Sequence, residues 1–83
     1  MEIFSQLKEI LTRQLALKPE LIKLESKLIE DLGADSLDAV EIITAIEEQF
    51  EITLSDEEAS MVKTVNDLIN LVNLKLQLKP EQP

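Results

Sequence analysis

The chain's single glycine, Gly33, stands directly before an unbroken amphipathic stretch, in the run Asp31-Leu32-Gly33-Ala34-Asp35-Ser36-Leu37-Asp38. Glycine reaches left-handed backbone conformations at little steric cost, so this position marks a reversal of the chain. Just beyond it, Asp35 is a natural N-cap and Ser36 falls in the first turn of a helix. At 100° per residue, Ala39, Ile42, Ile43, Ile46 and Phe50 share one side and form the expected core face. Leu37, Val40, Glu41, Thr44, Glu47 and Glu48 fall on the other side. Leu37 and Val40 are thus two apolar residues ringed by acids, the pattern of a small docking patch.

The remaining apolar residues also repeat at helical spacing. Ile3, Phe4, Leu7, Ile10, Leu11 and Leu15 predict a first helix over residues 2–16, which Pro19 stops from continuing. Residues 17–35 make a long connection, too long to be structureless in a compact domain. Leu21, Ile22, Leu24, Leu28 and Leu32 are expected to pin it to the core, with a helical turn around residues 27–31. Ser55 with Glu58 has the spacing of a capping box for a short third helix of about six residues. Thr64 with Asp67 begins a last helix with Val65, Leu68, Ile69, Val72 and Leu76 as its core stripe. Leu71, Leu74 and Leu78 form a second line, to be covered by the connection or by weak self-association. The sum is an all-α domain over residues 1–79, with residues 80–83 as a frayed tail.

What the chain lacks narrows its chemistry. It has no Cys and no His, which removes disulfides, thiol nucleophiles, the commonest metal ligand and the usual neutral-pH base. Ser36 therefore has no partner here for a Ser-His-Asp arrangement. A catalyst of carboxylates alone would need a closed pocket, for which 83 residues of helix leave little room. A hydroxyl at a helix start with no base nearby reads instead as a handle that another enzyme modifies.

Charge gives the partner class. The net charge is −9, and between Lys27 and Lys63 no basic residue occurs. That interval holds Glu30, Asp31, Asp35, Asp38, Glu41, Glu47, Glu48, Glu51, Asp56, Glu57 and Glu58. Such a field repels nucleic acid and anionic membranes and steers basic protein surfaces toward the chain. It also repels itself, so added salt should stabilise the fold, and divalent cations could add to this between neighbouring carboxylates such as Glu30, Asp31 and Asp35 or Glu47, Glu48 and Glu51, with no dedicated metal site expected. The opening Met-Glu-Ile-Phe-Ser-Gln has no signal-peptide character, and the Leu-rich segment 68–78 is too short to span a bilayer, so a cytoplasmic setting is expected.

The segment Gly33-Ala34-Asp35-Ser36-Leu37-Asp38-Ala39-Val40-Glu41 closely resembles acyl carrier proteins, the discrete bacterial type most of all. The likeness continues through Ala45-Ile46-Glu47-Glu48-Gln49-Phe50-Glu51-Ile52, Ser55-Asp56-Glu57-Glu58-Ala59 and Thr64-Val65, and by helix pattern over the rest. The resemblance implies a right-handed four-helix bundle with a short third helix and a long loop between helices one and two. It implies a monomeric, non-catalytic carrier whose Ser36 bears 4′-phosphopantetheine, attached from coenzyme A by a phosphopantetheinyl transferase. Acyl groups then ride as thioesters on an imported thiol, which a chain without Cys requires. It further implies that Asp35, Leu37, Asp38, Val40, Glu41, Glu47 and Glu48 meet fatty acid synthesis or other acyl-transfer enzymes through their basic docking surfaces. Acyl chains folding back between the helices would meet Leu28, Ile46, Ile52, Leu54 and Val62. Thr44, where many such carriers have a larger apolar residue, and the Leu-rich last helix depart from the pattern. They leave open a dedicated carrier for polyketide, aminoacyl or lipid-modifying chemistry. An unmodified acidic interaction module is the reading from a different class.

Overall fold

The computed structural model describes residues 2–78. Four helices follow in order, α1 (Glu2–Leu15), α2 (Ser36–Phe50), α3 (Asp56–Ser60) and α4 (Val65–Leu78), with one 3₁₀ turn at Pro19–Leu21. The expected domain end at Lys79 and the tail 80–83 lie outside the described residues.

The helices assemble because their apolar stripes meet. Leu7 and Leu11 of α1, Ile46 of α2, and Val65, Leu68 and Val72 of α4 are fully buried together. Removing each Leu or Ile side chain from water contributes about 1.5–3 kcal/mol. Leu76 is half-buried at the edge of this core, as is Leu71 from the second stripe, whereas Leu74 and Leu78 are exposed.

Local chemistry sets the helix ends. Asp35 Oδ1 accepts from the Asp38 N–H at 2.8 Å, and Asp38 Oδ2 accepts from the Asp35 N–H at 3.2 Å. Ser55 with Glu58 and Thr64 with Asp67 make the same reciprocal pair at the starts of α3 and α4. Each box satisfies donors that a helix start leaves without an intrahelical partner. α1 stops one residue earlier than the periodicity predicts. Ala16 turns left-handed at φ 55°, and the Leu17 N–H closes back on the Thr12 carbonyl at 3.2 Å.

The long connection is held by backbone as much as by side chains. Ser26 and Leu24 carbonyls accept from the Val65 and Asn66 N–H groups at 3.0 and 2.9 Å, so the loop caps α4. The Leu28 N–H returns a bond to the Lys63 carbonyl at 2.9 Å, beside the antiparallel bridge of Lys27 and Thr64. The turn expected at 27–31 forms through Asp31 N–H to the Lys27 carbonyl at 2.9 Å, and Gly33 leaves it at φ +77°.

Three expectations are corrected. Leu21 and Leu24 do not reach the core, because the 3₁₀ turn and the loop's bonds to α4 direct that part of the chain outward; Ile22 and Leu32 are the buried anchors. Ala39 is exposed on α2, since no element covers its small side chain. Glu47 is half-buried rather than on an open face, because its carboxylate turns toward the segment after α2.

Candidate functional site

Ser36 is the first residue of α2, immediately after the N-cap Asp35 in extended conformation. The reciprocal bonds between Asp35 and Asp38 fix the helix start and so fix where the serine points. Its side chain is exposed, and among the described residues nothing hydrogen-bonds its hydroxyl. It stands at the mouth of a groove of about 610 Å³ whose walls include Leu28, Ile42, Ile43, Val62 and Leu68.

The carboxylates on either side of Ser36 are turned onto backbone N–H groups and not onto this hydroxyl. Asp35 is bonded to the Asp38 N–H. The Asp35 backbone N–H, and after it the Gln14 amide, hold the Asp38 carboxyl below the usual carboxylate range. A group held ionised in this way is a weak proton acceptor. The serine is thus an exposed alcohol at the first residue of α2.

Around it, Leu37 and Val40 stand 70% and 62% exposed, the apolar points expected of a docking patch. Glu41 and Glu48 are also exposed. Asp38 and Glu47 are only partly exposed, because both accept backbone N–H groups and so hold structure as well as charge. The sequence reading missed two further exposed apolar residues, Ile29 and Met61, at 70% and 78%. Their signal was their place: Ile29 follows Leu28 and itself lines the groove, and Met61 precedes Val62, which lines it too.

Of the expected acyl-contact residues, Leu28 and Val62 line the groove, and Ile46, Ile52 and Leu54 do not. Ile46 is fully buried in the core and Leu54 nearly so, with Ile52 packed against them. Ala39 and Ala59, both small, leave room along the groove that larger side chains would fill.

Among the described residues, no three carboxylates converge to hold a metal ion. Asp31 is turned onto the Lys27 N–H, Asp35 onto that of Asp38 and Glu47 onto that of Leu54, which draws one carboxylate out of each triplet or two.

The described residues thus form a small helical domain that presents an exposed serine on a capped helix start beside an apolar groove. Comparison with known proteins agrees. Residues 5–72 match the phosphopantetheine attachment site family. The chain is 44% identical over 73 residues to an acyl carrier protein of Campylobacter fetus subsp. fetus, covering 88% of this chain and 95% of that one. It is 50% identical over 72 residues to an acyl carrier protein of Wolinella succinogenes, covering 87% and 95%. A solved chain from Mycobacterium tuberculosis superposes with a TM-score of 0.82 at 30% identity, over 87% of this chain and 96% of that one. The chain belongs to the acyl carrier protein family. It is accordingly a non-catalytic carrier whose cofactor is phosphopantetheine, and it works with a phosphopantetheinyl transferase and acyl-handling enzymes. No helix among the described residues is long and apolar enough to cross a membrane.

Proposed function

We propose that Ser36 is the attachment residue, and that residues 1–79 form a monomeric, cytoplasmic carrier domain for fatty acid synthesis. The observation that carries the assignment is the unbonded, exposed hydroxyl of Ser36 at the first residue of α2, next to the groove. The residues present suit the group: the α2 start favours an anion through its dipole. Asp35 and Asp38 oppose that locally, which favours an arm reaching into solvent over one lying on the helix.

In loading, the Ser36 hydroxyl gives its proton to a base of the transferase, and Oγ bonds to the phosphorus that bears the pantetheine arm. The pyrophosphate bond of coenzyme A breaks, and adenosine 3′,5′-bisphosphate leaves with the electron pair. When bound, the arm supplies the thiol on which acyl groups are carried as thioesters. The chain's own part is to present Ser36 on a rigid helix start and to offer acyl chains the apolar walls at Leu28, Ile43 and Val62. A volume of 610 Å³ lies within the range of small-molecule pockets.

Leu37 and Val40, with Asp35, Asp38, Glu41, Glu47 and Glu48 around them, are the surface that basic partner enzymes read. The exposed Leu74 and Leu78 favour a second reading, a dedicated carrier with an additional partner on α4. Expression with a phosphopantetheinyl transferase and intact-mass measurement tests the assignment. The parent chain should gain one phosphopantetheinyl group and Ser36→Ala none; modification persisting in that variant would overturn it. Acyl species identified on the chain from its native host separate the two pathways.

A further inference from the structure

Gln14, near the end of α1, reaches across to the first turns of α2. Its Nε2 donates to Asp38 Oδ1 at 3.3 Å and also to Glu41 Oε1. Asp38 and Glu41 are three residues apart on one helix face, where like charges repel. A primary amide carries two N–H groups, one for each carboxylate. The second oxygen of Asp38 is already taken by the Asp35 N–H at 3.2 Å, so the bridge from α1 joins the same box that fixes the start of α2.

We propose that Gln14 is a positioning residue for the loading of Ser36: its amide holds the Asp38 and Glu41 carboxylates together beside the serine, as one prearranged anionic pair for the cationic side chains of the loading enzyme. This rests on the reading that Ser36 is the residue loaded. Two carboxylates fixed before the encounter lose no rotamer freedom when the partner arrives. Neither carboxylate hydrogen-bonds the reacting hydroxyl, so the effect falls on binding and not on the chemical step. The lowered pKa of Asp38, to which the Gln14 amide contributes, is consistent with the contact. The fold does not depend on it, since α1 is held by the buried Leu7, Ile10 and Leu11.

The test is steady-state transfer of phosphopantetheine from coenzyme A to the parent chain, Gln14→Leu and Gln14→Lys, with melting temperature as a control. Gln14→Leu removes both N–H donors and should raise the KM for the carrier roughly three- to tenfold with kcat unchanged, the effect of freeing two side chains. Gln14→Lys reaches one atom further and sets a cation between the two carboxylates, which offsets the charge the partner meets, and should raise the KM as well. Carboxyl NMR titration should show the Asp38 pKa rising in Gln14→Leu. An unchanged KM in Gln14→Leu, or a loss confined to kcat, overturns the inference while leaving the carrier reading intact. A parent chain that takes no phosphopantetheine overturns that reading, and this inference with it.

Discussion

Glu47 Oε2 accepts the backbone N–H of Leu54 at 2.8 Å, so an acid on α2 ties down the segment that leads from α2 to α3. Leu54 is buried, and this bond gives its amide a partner. The neighbouring turn leans on the same residue: the Glu51 N–H and the Ile52 N–H, at 3.2 Å, both close on the Glu47 carbonyl.

Glu47→Ala should therefore lower stability by about 1.5–3 kcal/mol, the worth of a hydrogen bond to a charged group. In a domain of this size each kcal/mol moves the melting temperature by about 4–8 °C. Thermal unfolding of Glu47→Ala and Glu48→Ala side by side checks it. Equal melting temperatures would show that the carboxylate contributes charge alone.

The exposed acids predict a different response. Glu41→Lys combined with Glu48→Lys reverses two charges that basic partners meet, and rim charges act mainly on association rate. Loading by the transferase should slow, and the deficit should shrink as salt screens it over a Debye length of about 8–10 Å. Stopped-flow or initial-rate measurements across an ionic-strength series decide the matter. A deficit independent of salt would remove this surface from recognition.

The contrast between Glu47 and Glu48 also shows where sequence reasoning stops. Gly33, Asp35, Ser55 and Thr64 announced their turns and caps because cap chemistry is local, set by a side chain and a backbone group three residues apart. The core stripes of α1 and α4 followed from periodicity for the same reason. Whether Glu47 faces solvent depends on where Leu54 arrives, which only the folded path of the chain decides. Ala39 had the right phase for the core, but nothing lies over it. Apolarity marked Leu28, Val62, Ile46 and Leu54 alike, although the first two line the groove and the others fill the core.

Acid should attack the caps. Asp38, Glu58 and Asp67 are each held below their ordinary values of 3.8, 4.5 and 3.8, the first by the Asp35 backbone N–H, the second by Lys75 and the third by the Thr64 backbone N–H. A carboxylate whose folded pKa is depressed stabilises the fold above its unfolded pKa, and that contribution is lost as pH falls through the folded value. Stability should thus decline below about pH 4, although acid also weakens the mutual repulsion that the net charge imposes on the fold. Asp67→Asn should flatten this acid limb in melting curves recorded from pH 6 to 2. A parent curve that keeps rising down to pH 2 would contradict the role of the caps. At neutral pH the same repulsion predicts a melting temperature that climbs with monovalent salt.

The helix α3 should be the least protected element against amide exchange. Five residues cannot sustain a helix alone, because the cost of the first turn is recovered only over many residues. Among the described residues of α3 none is fully buried, so little apolar area holds it down. What does hold it is the Ser55 and Glu58 box together with the ion pair from Lys75 Nζ of α4 to Glu58 Oε2 at 2.6 Å, with both side chains about two-thirds or more covered. Such a partly shielded pair is screened less by water than the exposed Arg13 and Glu9 pair on α1. Lys75→Met keeps the apolar stem and deletes the charge. It should speed exchange across residues 56–60 while leaving α2 untouched, whereas Arg13→Met should change neither. Hydrogen exchange followed by NMR reads both variants. Protection of residues 56–60 equal to that of α2, or indifferent to Lys75→Met, would mean that α3 is held by something other than its cap and this single ion pair.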